Sequence, residues 1–346
     1  MEKSIRGRRI LLIGGAGFIG HNLALYFKKH GADVFVVDGL SVNNLLYLHS
    51  TDLEIPGNRN LYINMINSRL KLLMDAGIPL HVEDARNYNE LATVMTKIKP
   101  QVVIVLAAVS HANRSNKNPF DTFDHSIRTL ENALDSARTR VEHFIYFSSS
   151  MVYGHFPSDG VTEEAPCDPI GIYGNLKLAG EQMVRAYNNT FDLPYTIIRP
   201  SALYGERCIS RRVGQIFIEN AVQGKEITIT GDGNDQLDFT YIYDLVEGVR
   251  NVIENENSVN ETFNMTYGES RMIRDMARLI DEHFPGIDIK YVPKDDLTPD
   301  RGTLLIDKAR KLIDYSPEYP IEKGYVEYIN WYKALYSSQG GNMFLP

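Results

Sequence analysis

A glycine-rich turn near the start of the chain joins a predicted strand to a predicted helix. The strand pattern covers Arg9–Ile13, the turn has the sequence GGAGFIG at residues 14–20, and the helical pattern covers Phe18–Lys29. A second strand pattern, Asp33–Val37, is followed by Asp38. This order is that of a dinucleotide-binding unit, in which backbone N–H groups bind a pyrophosphate at the helix N-terminus. Asp38 can accept hydrogen bonds from both ribose hydroxyls and would repel a 2′-phosphate, so the sequence predicts NAD as the cofactor.

Apolar strand patterns alternate with helical patterns over the first two hundred residues. The alternation predicts an α/β fold, a Rossmann-type doubly wound parallel sheet with helices on both faces. After the first two strands, the predicted elements are strands at Ile78–Val82, Val102–Leu106, His143–Phe147 and Tyr195–Ile198, and helices at Tyr88–Ile98 and Asp124–Ala137. Ligands of such sheets bind beyond the carboxyl ends of the strands, so residues that follow each strand are candidate site residues.

The chain has 346 residues, enough for a large domain and a smaller lobe. We expect residues 1–200 to form the NAD-binding domain and residues 201–336 to form mainly a smaller C-terminal α/β lobe that binds the substrate. The strand patterns of the second part are Glu226–Thr230, Thr262–Met265 and Ile287–Val292. Residues 337–346 are expected to form a flexible tail.

An insertion of nearly forty residues, at about 39–77, separates the second strand from the third. A short loop and a helix would suffice there, and insertions of this length are usually functional or mobile. Ile63–Asp75 has a helical pattern. The insertion could cover the cofactor, contact a partner chain or be a surface excursion, and the sequence leaves all three open.

Composition excludes several classes of function. The formal net charge of −8 argues against a broad nucleic-acid surface. Cys167 and Cys208 give neither a disulfide framework nor a metal cluster, and they fit a reducing cytosol. The nine histidines show no HxH or HExxH spacing, and the chain has no run of eighteen apolar residues. We therefore expect a cytoplasmic protein without a metal and without nucleic-acid or membrane partners.

A tyrosine and a lysine are the candidate catalytic residues. The strand His143–Phe147 ends in a run of serines, and Tyr173 follows Ser149 by twenty-four residues, with Lys177 four positions further on. On a helix, Tyr173 and Lys177 would share one face. An ammonium stabilises a phenolate and lowers its pKa, so Tyr173 could act as the base for a substrate hydroxyl, with a serine sharing the hydrogen bond. Tyr319 and Lys323 have the same spacing, but Pro320 and their C-terminal location argue against a catalytic pair.

With these residues the chain resembles the extended short-chain dehydrogenase/reductases, in particular the NAD-dependent nucleotide-sugar epimerase/dehydratase family. The resemblance covers about Arg8 to Lys333. Its marks are GGAGFIG at 14–20, Asp84-Ala85-Arg86, Leu106-Ala107-Ala108, SSSMVYG at 148–154, YGNLK at 173–177, Arg199-Pro200 with Leu203-Tyr204-Gly205, and Gly231-Asp232-Gly233 with Asp238-Phe239-Thr240. The family also implies a homodimer that pairs through the helices Asp124–Ala137 and Tyr173–Tyr187.

The resemblance implies a role for each matching position. The implied catalytic residues are Ser149, Tyr173 and Lys177, with Tyr173 as the base. The implied cofactor-binding residues are Gly14, Gly17, Phe18, Ile19 and Gly20 around the pyrophosphate, Asp38 at the adenosine ribose, Asp84 and Ala85 at the adenine, Leu106, Ala107 and Ala108 along the cleft, and Tyr173 and Lys177, with Lys177 at the nicotinamide ribose. The implied substrate-binding residues are Ser149, Ser150, Arg207 and Arg301.

The serine run separates the reactions of the family. The 4,6-dehydratases have an Asp-Glu pair where this chain has Ser150-Met151, and decarboxylating relatives usually have Glu at the position of Met151. The sequence therefore favours a nucleotide-sugar epimerase acting at C4 through a transient 4-keto sugar. A nucleotide-sugar dehydrogenase or reductase is the main alternative, followed by a dehydratase or decarboxylase, and then by a non-catalytic NAD-binding sensor.

Three positions depart from the family pattern. Ala202 stands where many members have an Asn that contacts the substrate pyrophosphate, Leu237 where they have a phosphate-binding Arg, and His125 where an Asn is common. Loss of an arginine removes a strong charge-assisted hydrogen bond to phosphate. Either other cations replace it or the substrate is not a standard nucleotide sugar. The candidate replacements are Arg207, Arg211, Arg212 and Arg301, and His111 and Arg114 are weaker candidates to face the sugar.

Overall fold

The computed structural model describes residues 4–42, 44–49, 58–109, 112–293 and 300–338. Its strands are β1 (Arg9–Ile13), β2 (Asp33–Val37), β3 (Leu80–His81), β4 (Val102–Val105), β5 (His143–Phe147), β6 (Tyr195–Arg199), β7 (Leu203–Tyr204), β8 (Ile227–Thr230), β9 (Gln236–Leu237), β10 (Thr240–Tyr241), β11 (Glu261–Asn264), β12 (Arg271–Met272) and β13 (Ile289–Val292). Its α-helices are α1 (Phe18–Lys29), α2 (Leu45–His49), α3 (Arg59–Asp75), α4 (Tyr88–Ile98), α5 (Ala112–Lys117), α6 (Pro119–Phe123), α7 (Thr129–Ala137), α8 (Gly171–Phe191), α9 (Val213–Val222), α10 (Ile242–Glu254), α11 (Ile273–His283), α12 (Asp307–Ile313) and α13 (Ile321–Ser338).

A seven-stranded parallel sheet organises the molecule, in the order β11-β6-β5-β4-β1-β2-β3. The central strands β4, β5 and β6 are buried at every position. They can be apolar throughout because helices cover both faces of the sheet. The strand order reverses between β1 and β4, and a doubly wound sheet binds its ligand at such a point. The predicted Rossmann-type α/β fold is confirmed.

One strand prediction was wrong in its placement. The pattern at Thr262–Met265 was assigned to the smaller lobe, whereas β11 pairs with β6 and completes the large sheet. Without β11, the buried strand β6 would form an open edge with unpaired backbone groups. The other two strand patterns of the second part, β8 and β13, pair in parallel as a separate small sheet. The boundary at residue 200 stays a prediction.

The helices lie close to their predicted positions. The pattern at Asp124–Ala137 begins with a π-helical turn, Asp124–Arg128, and continues as α7. In the insertion, α3 begins four residues before the predicted Ile63, since the side chain of Asn58 caps it by accepting a hydrogen bond from the Leu61 N–H at 3.1 Å. Residues 337 and 338 close α13, and the rest of the predicted tail lies outside the described residues.

The two cysteines are free thiols. Among the described residues, no helix is both long and apolar enough to cross a membrane. Within the same residues, no group of three or more His, Cys, Asp or Glu side chains is arranged to hold a metal ion.

Candidate active site

A cleft lies beyond the carboxyl ends of β1, β2 and β4, at the reversal of strand order. Its lining includes eleven of the predicted cofactor-binding residues: Gly14, Gly17, Phe18, Ile19, Gly20, Asp38, Asp84, Ala85, Leu106, Ala107 and Ala108. The cleft has a volume of about 1100 Å³ including its open mouth. The glycine turn, the two predicted acids and the segment after β4 therefore converge on one open cleft.

The glycines of the turn have different physical tasks. Gly14 has a φ of +81°, and a Cβ there would lie 2.7 Å from the backbone nitrogen of Ala107. A Cβ on Gly20 would lie 2.5 Å from the Cα of Gly15, so these two glycines allow close packing. Gly17 is the N-cap of α1, has an ordinary φ of −72° and makes no side-chain cap. The first N–H groups of α1 are thus left for an anion, as a dinucleotide pyrophosphate requires.

Asp38 is fixed at the mouth of the β1–β2 crevice by two backbone hydrogen bonds. Its Oδ2 accepts from the Ala16 N–H at 2.9 Å and its Oδ1 from the Leu40 N–H at 2.8 Å. Burial raises the pKa of the Asp38 carboxyl, and these two hydrogen bonds oppose the shift. Each carboxylate oxygen has a second lone pair, which remains for a ribose hydroxyl.

The predicted adenine ligand Asp84 is held by its own neighbour. Arg86 donates from Nε and Nη2 to the Asp84 carboxylate, at 3.0 and 2.6 Å, and from Nη1 to Asp124 at 2.8 Å. These hydrogen bonds lower the pKa of Asp84, which favours the ionised acceptor. His125 lies in the π-helical turn, lines the cleft and pairs with Asp121 at 3.2 Å. Burial lowers the pKa of His125, and the charge of Arg86 adds to that shift.

Ser149 and Tyr173 meet at the carboxyl end of β5. Ser149 follows β5, and its Oγ accepts from the Met151 N–H at 3.2 Å at the start of a 3₁₀ turn. Burial raises the pKa of the Tyr173 phenol, whereas its hydrogen bond with Ser149 and the positive charges of Arg212 and Arg301 lower it. The structure therefore places Ser149 and Tyr173 near each other, and the charges of two arginines act on the Tyr173 phenol.

Lys177 lies one turn after Tyr173 on α8 and is buried. Its Nζ donates to the carbonyl of Phe147 at 2.6 Å and lies 5.1 Å from the ring centroid of Tyr146. Burial lowers the pKa of Lys177 to about 8, and the negative charge of Glu181 opposes this shift. Both Ser149 and Lys177 are thus positioned by the end of β5.

Beneath these residues lies a buried ion pair that the sequence reasoning missed. Arg199, at the end of β6, donates from Nε and Nη2 to Glu181 at 2.8 and 2.7 Å. Ser148 donates its hydroxyl to the same carboxylate at 2.6 Å. The pair ties α8 to the ends of β5 and β6 and so fixes the orientation of the helix that carries Tyr173. Its sequence signal was a Glu one turn after Lys177 together with an Arg that ends a strand.

The candidate arginines separate into two groups. Arg301 donates from Nη2 to Ser150 Oγ at 2.5 Å, contacts Met151 Sδ at 2.9 Å and lies over the Phe156 ring at 4.4 Å. Burial lowers the pKa of Arg301 to about 10, and the charge of Arg212 acts in the same direction. Arg212 lines the cleft at the start of α9.

Arg207 and Arg211 are placed with the insertion instead. Arg207 lies over Trp331, at 5.8 Å from the ring centroid, and its carbonyl accepts a hydrogen bond from Arg69 of α3. Arg211 donates from Nη1 to the Tyr62 hydroxyl at 3.4 Å. The structure therefore brings Arg301 to Ser150 and Tyr173 but places Arg207 beside α3. His111 and the side chain of Arg114 lie outside the described residues.

Comparison with known proteins agrees with this geometry. The model of the NAD dependent epimerase/dehydratase family matches residues 10–266. The chain belongs to this family. Its cofactor is NAD.

Three relatives show the range of reactions. The chain is 29% identical to the uncharacterized UDP-glucose epimerase YtcB of Bacillus subtilis (strain 168), over 96% of this chain and 100% of that protein. It is 25% identical to a dTDP-glucose 4,6-dehydratase of Xanthomonas campestris pv. campestris (strain B100), over 93% of this chain and 92% of that protein. The structure of a UDP-glucuronic acid 4-epimerase from Bacillus cereus matches with a TM-score of 0.82 at 25% identity, over 95% of this chain and 100% of that one.

Two departures of this epimerase/dehydratase family member now have a structural description. Ala202 has a φ of +37°, a region that Asn tolerates better than Ala, so the backbone keeps a conformation suited to the usual Asn. Leu237 lies opposite Arg271 in the β9–β12 ladder. Arg271 is already paired with Glu269 at 2.7 Å and Glu322 at 3.0 Å. It is therefore a poor replacement for the missing arginine. Arg212 and Arg301 remain as candidates, and the charges of both act on Tyr173.

Proposed function

We propose that this protein is an NAD-dependent nucleotide-sugar 4-epimerase. The observation that carries the proposal is the environment of the Ser149–Tyr173 pair. The adjoining positions 150 and 151 hold Ser and Met, and both side chains contact Arg301. A dehydratase needs an acid and a base at these positions to eliminate water, whereas an epimerase needs only the groups that move one hydroxyl proton.

In the proposed reaction Tyr173 accepts the proton of the sugar 4-hydroxyl, and Ser149 shares the hydrogen bond to that oxygen. The charges of Arg212 and Arg301 favour the phenolate form of Tyr173. The Lys177 ammonium, one turn after Tyr173 on the same face of α8, adds a third positive charge. NAD, when bound, takes the hydride from C4 and returns it. Between the two transfers the 4-keto sugar would turn over, so that the hydride returns to the opposite face of C4, and Tyr173 gives its proton back to the O4 oxygen.

The cations near Tyr173 support an anionic substrate. Arg212 and Arg301 make no ion pair with a carboxylate among the described residues, and Arg301 is held by Ser150 and Met151. Guanidinium groups bind phosphate oxygens in forked geometry. We therefore assign them to the diphosphate of a nucleotide sugar. UDP-glucose and UDP-glucuronic acid are the first substrates to test, because relatives are named for them.

The test is incubation of the purified protein and NAD with UDP-, GDP-, dTDP- and CDP-sugars, followed by mass spectrometry and absorbance at 340 nm. A product of unchanged mass with a new retention time and no accumulating NADH supports the epimerase. Loss of water would indicate a dehydratase, and loss of two protons with NADH a dehydrogenase. Either result contradicts the proposal.

Tyr173→Phe should lower kcat by about a hundredfold to ten-thousandfold while NAD binding is retained. Tyr319→Phe is the matched control, because Tyr319 precedes a lysine at the same spacing but packs against Tyr241 and Tyr243, with the Lys323 Nζ 3.9 Å from its ring centroid. Equal turnover in the two variants would contradict the mechanism, because a group other than Tyr173 would then be the base.

We also infer a cytoplasmic homodimer that serves carbohydrate biosynthesis. Free cysteines fit a reducing compartment. Large apolar side chains are exposed on α6, which contacts α8, one of the two helices through which the family pairs. This surface fits a second copy of the chain.

A further inference from the structure

The insertion between β2 and β3 is docked on the segment that carries the arginines. The Tyr62 hydroxyl of α3 donates to Glu219 of α9 at 2.6 Å and accepts from Arg211. Arg69, two turns further along α3, donates from Nε to the carbonyl of Arg207 at 3.0 Å, and its Nη2 donates to the same carbonyl. Arg207 has a φ of +62°, so this carbonyl lies at a sharp turn of the chain. The insertion helix thus holds the entrance to the segment 207–212.

Arg69 belongs at the same time to the cofactor cleft. It lines the cleft together with Gly17, Phe18 and Asp38, although only 1% of its surface is exposed to solvent. Its guanidinium forms no ion pair within 4.0 Å in the described part of the chain, and the negative charge of Asp38 acts on it only from a longer distance. Burial lowers the pKa of Arg69 to about 10, with the charge of Arg207 acting in the same direction. A buried cation without an ion partner is costly to keep, so its retention calls for a ligand.

The neighbours of Arg69 point to the kind of ligand: Arg207 adds positive charge, and Asp38 is the acid whose charge opposes it. Burial lowers the pKa of His21 on α1, and the charges of Arg69 and Arg207 lower it further. The uncapped N-terminus of α1 contributes its own positive potential at Gly17. A guanidinium and a helix N-terminus on one wall of a cleft form a site for a doubly anionic group.

We propose that Arg69 binds the diphosphate of NAD and, through the Arg207 carbonyl, positions the segment that presents Arg212 to the substrate. The insertion is then a link between the two binding sites. The first part concerns the cofactor alone, whereas the second part rests on the proposed function. Arg69 is a cofactor ligand in the first part and a positioning residue in the second.

The experiment compares Arg69→Met with Lys71→Met, an exposed position on the same helix, after bound cofactor has been removed. NADH binding is followed by fluorescence, and ADP-ribose is titrated as a competitor that keeps the diphosphate but lacks nicotinamide. We expect Arg69→Met to weaken both ligands by about tenfold to a hundredfold, as for loss of hydrogen bonds to a charged group. Lys71→Met should bind both as the unaltered protein does. NADH affinity within twofold in both variants would overturn the proposal.

Thermal unfolding with and without cofactor separates a ligand from a structural support. Arg69→Met also removes the hydrogen bonds to the Arg207 carbonyl, so the cofactor-free melting temperature is expected to fall. The rise in melting temperature on adding NADH should in addition be smaller in Arg69→Met than in the unaltered protein, whereas a purely structural arginine would leave that rise unchanged. If Arg69→Met fails to fold, Arg69→Lys is used in its place. Lysine should hydrogen-bond less well to the Arg207 carbonyl, so this variant should raise KM for the nucleotide sugar several-fold with little change in kcat. An unchanged KM in Arg69→Lys would overturn the positioning role. If the unaltered protein turns over no sugar while Arg69→Met still loses NADH, the proposed function fails and the cofactor role stands.

Discussion

Lys177 carries an ammonium group in an environment that disfavours charge. Burial lowers its pKa to about 8 despite the opposing charge of Glu181. Raising the pH through this value removes a positive charge one turn from Tyr173, so the phenolate loses a stabilising group. We therefore expect kcat/KM to fall as the pH rises above about 8. NMR titration of ¹³Cε-labelled lysines, with the signal assigned through Lys177→Arg, should show a midpoint near pH 8. A midpoint at the ordinary value of about 10 would contradict the assignment.

At the residue scale, the sequence predicted best the positions of those residues whose location depends on their own segment. Gly14 and Asp38 sit at fixed offsets from β1 and β2, so strand and turn patterns locate them directly. Arg69 and Arg212 reach the same cleft from an insertion and from the second half of the chain. No spacing of residues within one segment indicates that side chains from such distant segments line the same cleft. The opposite holds for Arg207. Its position in the sequence motif predicted a substrate-binding arginine, but its side chain lies against Trp331.

The turn between β1 and α1 can be tested as an element through two of its glycines. Ala at position 14 would have to adopt φ +81° and would bring a Cβ within 2.7 Å of the Ala107 backbone, so we expect Gly14→Ala to lower the free energy of unfolding by at least about 2 kcal/mol. At Gly17 a Cβ meets only the Gly14 carbonyl, at 3.2 Å. The Gly17→Ala variant should therefore keep its stability but bind NADH more weakly, because the added methyl group faces the pyrophosphate site.

Denaturant unfolding and NADH titration on both variants check this division of roles. Similar losses of stability in the two variants would show that the turn is uniformly intolerant. If Gly17→Ala binds NADH as tightly as the unaltered protein, the N-terminus of α1 is not part of the cofactor site.

Element boundaries depended on information outside each segment. The predicted strand at Ile78–Val82 is reduced to β3, Leu80–His81, because only these residues pair with β2 at the edge of the sheet. The helix at Asp124–Ala137 keeps its overall span, but its first turn widens to a π-helix that brings His125 to the cleft. Periodicity detects an amphipathic helix and does not register one turn of different pitch.

For the whole molecule, the alternation of strands and helices was enough to predict the sheet and the edge on which the cleft lies. The alternation could not show that the chain returns to this sheet after residue 254, where α10 ends and β11 follows. That return depends on pairing between β6 and a segment more than sixty residues later, which leaves no mark in local sequence.

Assembly is the last property at this scale that can be tested. Phe120 and Phe123 on α6 are 84% and 51% exposed, unusual values for large aromatic side chains, and α6 contacts α8. If this surface pairs with a second copy, sedimentation should give twice the chain mass of 39.2 kDa. The double variant Phe120→Asp/Phe123→Asp should give single chains, because burying four carboxylates in a symmetric interface is prohibitive. Leu46→Asp, at a site 62% exposed on α2, should leave the dimer intact. A 39.2 kDa species for the unaltered chain at micromolar concentration, or a persistent dimer of the double variant, would remove this surface as the interface.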